Sequence, residues 1–398
     1  MTRLPLAGIR VLDLCIVLAG PTCGRTLAQY GAEVIKVDPQ HRPPQLTPWL
    51  DVGRGKRSIS LNITNPDGLN TFLKLVDSSD VILEGFRKGV TNRLGIGYEQ
   101  LKPRNPRLIY ASINCFGRSG PWEFRPGFEQ NAQAATGVQL RNSGGKGQPR
   151  PATFTLNDYG TGIAAGYGIM MALLEREKTG EGQQIEAALS YTSATLSGPY
   201  HVTYENYVRN DIGGPGARGL HALNGLYESS DSWMFLSVSS NKEWETLCRV
   251  EEFLELGLRQ EFFSSDLRSK NDLLLREAFE KIFAANSTAF WIRTMSSIGI
   301  PLVKNVTAAE IHGDEFNHER GLIRDKDYAS SGELNSSWGS TSWAGNPVVM
   351  SETPLQDVFP PIFGGDTVDV LEELGLTTEE IDHLRETGAI PMVLPIKI

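Results

Sequence analysis

Residues suited to disulfides or metal clusters are scarce in this 398-residue chain. The four cysteines, Cys15, Cys23, Cys115 and Cys248, are scattered, with no CxxC spacing. They read as reduced core or subsurface thiols of a cytoplasmic protein. The six histidines form no HExxH or paired-ligand pattern, so no metal site is expected. No apolar run approaches the ~20 residues that a membrane span needs. Met1-Thr2-Arg3-Leu4-Pro5 leads directly into a strand rather than into a signal segment, which fits a cytoplasmic location. Positive charge is also short: 38 Lys and Arg against 47 Asp and Glu leave a net charge of −9. Global attraction to nucleic acid or to an anionic membrane is thereby excluded. Any anionic ligand must be held by local cations, helix N-termini or backbone N–H groups. Repeats and low-complexity tracts are absent.

What is present is an ordinary globular balance, 40% hydrophobic and 21% charged. The length exceeds one simple core and predicts two domains, or one domain with a large insertion. The first half alternates strands and helices. GIRVLDLC (8–15) reads as a strand, PTCGRTLAQYGA (21–32) as a helix with proline near its start, and EVIKVD (33–38) as a strand. SISLN (58–62), the helix PDGLNTFLKLVDSS, DVILE (80–84) and RLIYASIN (107–114) continue the pattern. Strands separated by helices predict a doubly wound, Rossmann-like parallel-sheet α/β domain over 1–200, with its ligand beyond the carboxyl ends of the strands. Residues 201–230, rich in glycine, read as a connector. Residues 231–324 read as a smaller α+β domain, 325–349 as a second connector, and 350–398 as a tail with two short helices. Thr377 with Glu380 has capping-box spacing at the start of the last helix.

A nicotinamide dinucleotide is the first ligand such a fold suggests, and the sequence argues against it. The loop after the first strand reads Val17-Leu18-Ala19-Gly20-Pro21-Thr22-Cys23-Gly24, not G-x-G-x-x-G. Pro21 also removes a backbone N–H that a pyrophosphate would need. Asp38, at the end of the second strand, reads as a solvated strand end.

The stretch Phe154–Leu189, FTLNDYGTGIAAGYGIMMALLEREKTGEGQQIEAAL, is the most informative. Tyr159 to Glu177 has the pattern of a helix, with Asp158 at its N-cap. Position alone leaves a cap and a functional carboxylate equally open. Glycines at 160, 162, 166 and 168 follow, each costing a helix ~1 kcal/mol relative to alanine. Gly162 and Gly166, with Gly160 and Ala164, would admit a second backbone or a ligand close to one helix face. A helix N-terminus also favours the ionised, nucleophilic carboxylate.

These motifs resemble the family III CoA-transferases, the group that includes formyl-CoA:oxalate and carnitine CoA-transferases. The resemblance rests on NDYGTG…ALLEREKTGEGQQIEAAL, LAGIRVLDLCIVLAGPTCGRTLAQYGAEVIKVD, KRSISLNITNPDG, VILEGFRKGVTNRLGIGYEQLKPRNPRLIYASINCFGRSGP and GFEQNAQAATG. It runs from Leu6 to about Leu189 and resumes more weakly beyond. It implies transfer of CoA from an acyl-CoA thioester to a free carboxylic acid, with Asp158 as nucleophile through aspartyl anhydride and aspartyl-CoA thioester intermediates. It implies no tightly bound cofactor, with CoA or acyl-CoA as substrate, and an interlocked homodimer in which the 350–398 helices return to the large domain and Gly162 and Gly166 lie near the subunit interface.

By the same resemblance Leu18, Ala19, Leu61, Asn62, Ile63, Thr64, Gly85, Phe86 and Arg93 contact CoA. Arg93 is the phosphate candidate, and a solvated helix-end cation is its alternative. Phe86 is open between adenine stacking and core packing. Glu129 is the second catalytic candidate, open between orienting the acceptor and a helix-start carboxylate. Gly213-Gly214-Pro215-Gly216 matches a glycine-rich flap. Leu18 and Pro39 depart from the oxalate enzymes' pattern, leaving Arg42, Arg54, Lys56 and Arg57 as alternative cations for the 3′-phosphate. Acyl-CoA racemases share the fold and the aspartate but carry a histidine where this chain reads Gly127-Phe128-Glu129. Racemization therefore ranks below transfer. An intramolecular transfer and a silent CoA-binding protein remain as alternatives.

Overall fold

The computed structural model describes residues 4–145, 147–208, 213–328, 338–355 and 358–393. Parts of the expected connectors, 209–212 and 329–337, and the end of the expected return, 394–398, lie outside the described residues. The chain divides into two compact units, Met1–Gln139 with Pro151–Thr203 and Arg324–Ile398, and Leu140–Arg150 with Tyr204–Ile323.

The first unit is built on a six-stranded, wholly parallel sheet in the order β3-β2-β1-β4-β5-β6. Its strands are β1 (Arg10–Asp13), β2 (Glu33–Asp38), β3 (Lys56–Ser60), β4 (Val81–Glu84), β5 (Ile109–Asn114) and β6 (Gln184–Ala188). The helices of this stretch are α1 (Ala19–Gln29), α2 (Leu46–Val52), α3 (Pro66–Asp77), α4 (Val90–Arg93), α5 (Tyr98–Leu101), α6 (Glu129–Ala135), α7 (Val138–Arg141), α8 (Leu156–Thr179) and α9 (Leu189–Leu196).

Alternation of side chains assigns the two faces. Val11, Val81, Leu83, Ile109 and Ala111 face α1 and α8, packing with Leu27, Ala165, Ile169 and Leu173. Leu12, Ile35, Ile82 and Tyr110 face the other way, onto Phe72, Leu75 and Val76 of α3. Because both faces are covered, the strands read as continuous apolar runs. Pro66 opens α3, and the Asn65 side chain caps it by accepting from the N–H groups of Asp67 and Gly68.

Two C-terminal helices, Thr367–Glu373 and Thr378–Glu386, place Val370, Leu371, Ile381 and Leu384 in that second layer. The first of them lies against β3, the edge strand. The Ser58 N–H donates to Asp366 Oδ2 at 2.8 Å, and the Ser60 N–H to Thr367 Oγ1 at 2.9 Å. An edge that would otherwise present unpaired donors is thereby covered. The Thr377–Glu380 box is formed: Glu380 Oε2 accepts the Thr377 N–H at 2.8 Å, and Thr377 Oγ1 accepts the Glu380 N–H at 3.3 Å.

The charged ends of the strands differ from expectation. Asp38 is buried rather than solvated, and Lys36 Nζ bonds its Oδ1 at 2.6 Å. Strand β3 begins at Lys56, whose fully buried Nζ reaches Asp13 Oδ2 at 2.7 Å and the Pro21 carbonyl at 2.9 Å. A Cβ on Gly24 would lie 2.9 Å from Asp13 Oδ2, so glycine is what lets α1 settle over this pair.

The second unit holds an antiparallel sheet in the order β10-β9-β8-β7, with β7 (Gly219–His221), β8 (Asn224–Glu228), β9 (Trp233–Ser237) and β10 (Leu302–Lys304). Strands β7 and β8 fall inside the segment 201–230 expected as a connector. Their glycines hide the alternation: Gly219 has φ 123, and a Cβ on Gly225 would lie 2.6 Å from the Arg218 carbonyl. Helices Asp272–Ala284 and Thr288–Ser297 supply Phe279, Phe283 and Trp291 to a core shared with Tyr227 and Phe253. Gly213 and Gly214 pack beside Arg141 and Gly144 of this same unit.

Candidate active site

The strand order reverses between β1 and β4, so the loops that follow these strands diverge and open a crevice. Leu18 sits just before α1 and Ala19 is its first residue. Gly85 and Phe86 follow β4 on the other side of the crevice. Two residues upstream of Ala19, Val17 has φ 67, a conformation that a β-branched side chain strongly resists. Strain of this kind collects where a loop is held for a purpose.

Leu61 to Thr64 follow β3, two strands or ~10 Å from β1. Leu61 is buried in the core, Ile63 packs against it, and Asn62 Oδ1 accepts from the Thr64 N–H at 3.1 Å and from its hydroxyl at 2.6 Å. Asn62 also lines a cleft of 380 Å³ with Gln40, His41, Ser60 and Gly388 to Pro391. Phe86 is half-buried and packs against the core, and Arg93 is exposed at the end of α4 with no ion pair among the described residues. The structure thus brings Leu18, Ala19, Gly85 and Phe86 to the crevice, sets Asn62 at the flanking cleft, and leaves Leu61 in the core with Ile63 packed against it.

Helix α8 delivers Asp158. The helix begins at Leu156 with Thr155 at the cap position, so Asp158 lies in the first turn and is not the N-cap. The anion that meets this helix N-terminus is Glu129. Its Oε2 accepts the Asp158 N–H at 2.8 Å, and its Oε1 accepts the Asn157 side-chain amide at 2.9 Å and the Asn157 N–H at 3.4 Å. Asp158 is only 6% exposed. Burial, and then the negative charge of Glu129, push its carboxyl up to about 7. The expected stabilisation of an ionised Asp158 by the helix N-terminus is overridden, because those donors are already satisfied by another carboxylate.

The glycines act selectively. A Cβ on Gly162 would lie 2.4 Å from the Ala19 carbonyl oxygen and 2.6 Å from Thr22 Cβ. Helix α8 therefore touches the first turn of α1, and Asp158 stands about one helical turn, ~6 Å, from that contact. At Gly166 the nearest atom would be 3.9 Å away, ordinary contact distance. Both glycines face α1 of the same chain. The apolar side that α8 leaves exposed carries Ile163, Tyr167, Met171 and Leu174 instead.

Three of the four alternative cations are engaged elsewhere. Lys56 is held by Asp13, Arg54 by Asp51 at 2.8 Å, and Arg57 by Glu33 at 3.0 Å and Glu373 at 2.5 Å. Arg42 alone of the four is exposed and without an ion pair among the described residues.

A carboxylate delivered to the crevice of a doubly wound sheet, with no nucleotide fingerprint, restricts the family, and the sequence profile decides it: that of CoA-transferase family III matches residues 6–367. The chain belongs to CoA-transferase family III. The succinyl-CoA–L-malate CoA-transferase beta subunit of Chloroflexus aurantiacus is 31% identical over 409 residues, covering 98% of this chain and 99% of its own. The alpha-methylacyl-CoA racemase of Homo sapiens is 30% identical and is covered over 97% of each chain. Among solved structures, a CaiB/BaiF family protein from Brucella suis is 26% identical with a TM-score of 0.79, covering 94% of this chain and all of that one.

In this family III chain, several residues around the site escaped the sequence reading. Cys115, just past β5, has its thiol pushed up to about 12 by burial and by the charges of Asp158 and Glu129. Asn157 and Gln133 orient Glu129, and Gln133 had only its i, i+4 spacing on α6 to suggest it. Arg118 pairs with Glu84, whose other oxygen accepts the Phe86 N–H at 2.9 Å and so holds the crevice loop. Beside Asp158, the Tyr159 hydroxyl donates to Asp51 at 2.7 Å, and Asp51 also holds Arg25 at 2.6 Å. Among the described residues no cluster of His, Cys, Asp and Glu could hold a metal, and no helix is long and apolar enough to cross a membrane.

Proposed function

We propose that this family III member moves coenzyme A from an acyl-CoA thioester to a free carboxylic acid, with Asp158 as nucleophile. The observation that carries the reading is the buried Asp158 carboxyl, one helical turn from the contact between α8 and the first turn of α1. There a thioester bound at the strand ends would meet it.

An Asp158 oxygen attacks the thioester carbonyl. The C–S bond breaks, CoA leaves as thiolate, and a mixed anhydride remains. The thiolate then attacks the aspartyl carbonyl, expelling the donor acid as its carboxylate and leaving an aspartyl-CoA thioester. The acceptor acid reverses the sequence. Anhydride and thioester lie close in energy, so one hard acyl transfer becomes several easier steps. Leu18, Ala19, Gly85 and Phe86 would line the pantetheine path, and Asn62 with its neighbours the adenosine end. Arg93 would meet a phosphate, and CoA would come and go as substrate. The names of the relatives suggest small dicarboxylic acids among the acids to test first.

The racemase relative makes proton transfer the second reading. It needs a second acid or base opposite Asp158. The corresponding stretch is Gly127-Phe128-Glu129, in which Phe128 is exposed and both Glu129 oxygens already accept hydrogen bonds. Incubation with an acyl-CoA and an isotopically labelled acid in deuterated water separates the readings. Labelled acid appearing as its CoA thioester supports transfer. Deuterium at the α-carbon without exchange supports racemization, and neither product leaves CoA binding alone.

The family resemblance also supports an interlocked homodimer joined through long connectors. The exposed apolar side of α8, with Ile163, Tyr167, Met171 and Leu174, suits a second copy of the chain. Sedimentation at falling concentration, combined with circular dichroism across a urea series, tests this arrangement. Loss of dimer and of secondary structure in one transition is expected; a folded monomer at low concentration rejects it.

A further inference from the structure

Glu129 is the first residue of α6 and is 4% exposed. Four N–H donors converge on its carboxylate. Gln133 Nε2 reaches Oε1 at 2.8 Å, the Asn157 amide at 2.9 Å and the Asn157 N–H at 3.4 Å, while the Asp158 N–H reaches Oε2 at 2.8 Å. Gln133 is itself pinned, because its Oε1 accepts the Ala152 N–H at 2.9 Å. The protein supplies donors to Glu129 but no cation: among the described residues no Lys, Arg or His pairs with it. A carboxylate gripped on both oxygens cannot swing toward a substrate.

The other groups around Asp158 do not offset that charge. Cys115, from the end of β5, stays a neutral thiol. Tyr159 turns to Asp51, and Arg25 of α1 and Arg54 are paired with the same Asp51. Glu186 of β6 accepts the Arg118 N–H, and α9 presents Thr192, which bonds Thr161 at 2.7 Å. The buried Asp158 therefore stands beside one fixed anion that no cation pairs among the described residues.

We propose that Glu129 is a fixed negative charge that drives Asp158 into its acylated forms, acting through Asp158 and not on the substrate. The inference rests on the reading of Asp158 as nucleophile. When Asp158 attacks a thioester, its negative charge leaves on the CoA thiolate. When the thiolate returns to the aspartyl carbonyl, the charge leaves again on the departing donor acid. Anhydride and aspartyl-CoA thioester are both neutral at Asp158, so each relieves a repulsion that the free carboxylate suffers. The equilibrium between free enzyme with acyl-CoA and aspartyl-CoA enzyme with free acid is thus displaced toward the covalent form. Protonation relieves the same repulsion, so transfer requires a pH at which Asp158 is ionised.

The test is intact-protein mass spectrometry of the enzyme mixed with acyl-CoA and no acceptor, together with ¹³C-NMR titration of the Asp158 carboxyl. Wild-type protein is expected to carry a CoA adduct on Asp158 and to titrate near neutrality. Glu129→Gln should lower adduct occupancy about tenfold or more and move the titration toward the ordinary carboxylate range, one pH unit being a tenfold change in the equilibrium. Glu129→Asp, which keeps the charge, should recover most of both. Wild-type occupancy and titration in Glu129→Gln would overturn the proposal. If that variant fails to fold, a wild-type Asp158 titrating near 4 overturns it without any variant. A wild-type enzyme with transferase activity but no adduct removes Asp158 as nucleophile, and this inference with it.

Discussion

Gly162 and Ala19 meet backbone to backbone: a Cβ at Gly162 would lie 2.4 Å from the Ala19 carbonyl oxygen. The contact ties the helix that carries Asp158 to the loop beyond β1. Substitution at this one glycine should therefore disturb the site, while its neighbour tolerates change. Gly162→Ala is expected to cost ~1–3 kcal/mol, the usual penalty of forcing an extra methyl into a packed contact, and to lower turnover. Gly166→Ala, with 3.9 Å of room, should be neutral or stabilising by up to ~1 kcal/mol through helix propensity. Thermal unfolding and steady-state rates of the two proteins check the pair. Equal behaviour would show that the close approach is not needed.

Burial of the Asp158 carboxyl beside Glu129 costs stability at neutral pH. Its carboxyl is raised from the usual range to about 7 by burial and by Glu129. Between about pH 4 and pH 7 the unfolded chain has released a proton that the folded protein keeps, so stability falls as pH rises through this window. Asp158→Asn removes that loss. The variant should be inactive at every pH, about as stable as wild type at pH 4, and more stable by up to ~4 kcal/mol at pH 8, the equivalent of the displaced titration. Urea unfolding at the two pH values measures the difference. A variant that is less stable at pH 8 would mean that Asp158 is not repelled in the native state.

With Asp158 as the proposed nucleophile, the rate of its acylation should rise with pH and level off above about 7, because the ionised carboxyl is the attacking form. Single-turnover rates with a saturating acyl-CoA, measured from pH 5 to 9, report this limb. A rate already maximal at pH 5 would assign the attack to a group with an ordinary carboxylate titration.

Arg93 is exposed and makes no ion pair among the described residues, which leaves its guanidinium free for a phosphate. Arg93→Ala should weaken CoA binding with little effect on the chemical step. Added salt should weaken wild-type binding more than that of the variant, because the variant lacks one charge pair. Identical affinity and salt response in calorimetric titrations would return Arg93 to the role of a solvated helix-end cation.

The buried Lys56–Asp13 pair behaves as one unit. Lys56→Met alone strands the Asp13 charge beneath α1 and should cost ~3–5 kcal/mol. Adding Asp13→Asn should recover much of that loss, since no uncompensated charge then remains. Denaturant unfolding of the single and double variants gives the coupling directly, and simple addition of the two effects would show that the residues act independently.

The sequence by itself determined the parallel sheet, the long helix behind Asp158 and the family. Those features are written in local order: apolar runs between helices, glycine at a helix end, motifs read along the chain. Gly180, at φ 77, closes α8 in the left-handed conformation that glycine takes at helix ends. Only the tertiary structure decided what surrounds the carboxylate. Glu129 lies 29 residues before Asp158, and no periodicity reveals that its oxygens fill the N-terminus of α8. The same holds for Asp38, a solvated strand end by sequence and a buried partner of Lys36 in the fold. It holds for Lys56, Arg54 and Arg57, candidate phosphate ligands by proximity and already paired in space. Spacing along a chain records which face a residue shares with its neighbours. Its charge partner is set by how distant segments return, and in a buried site that partner determines whether a carboxylate is a cap, a counter-ion or a nucleophile.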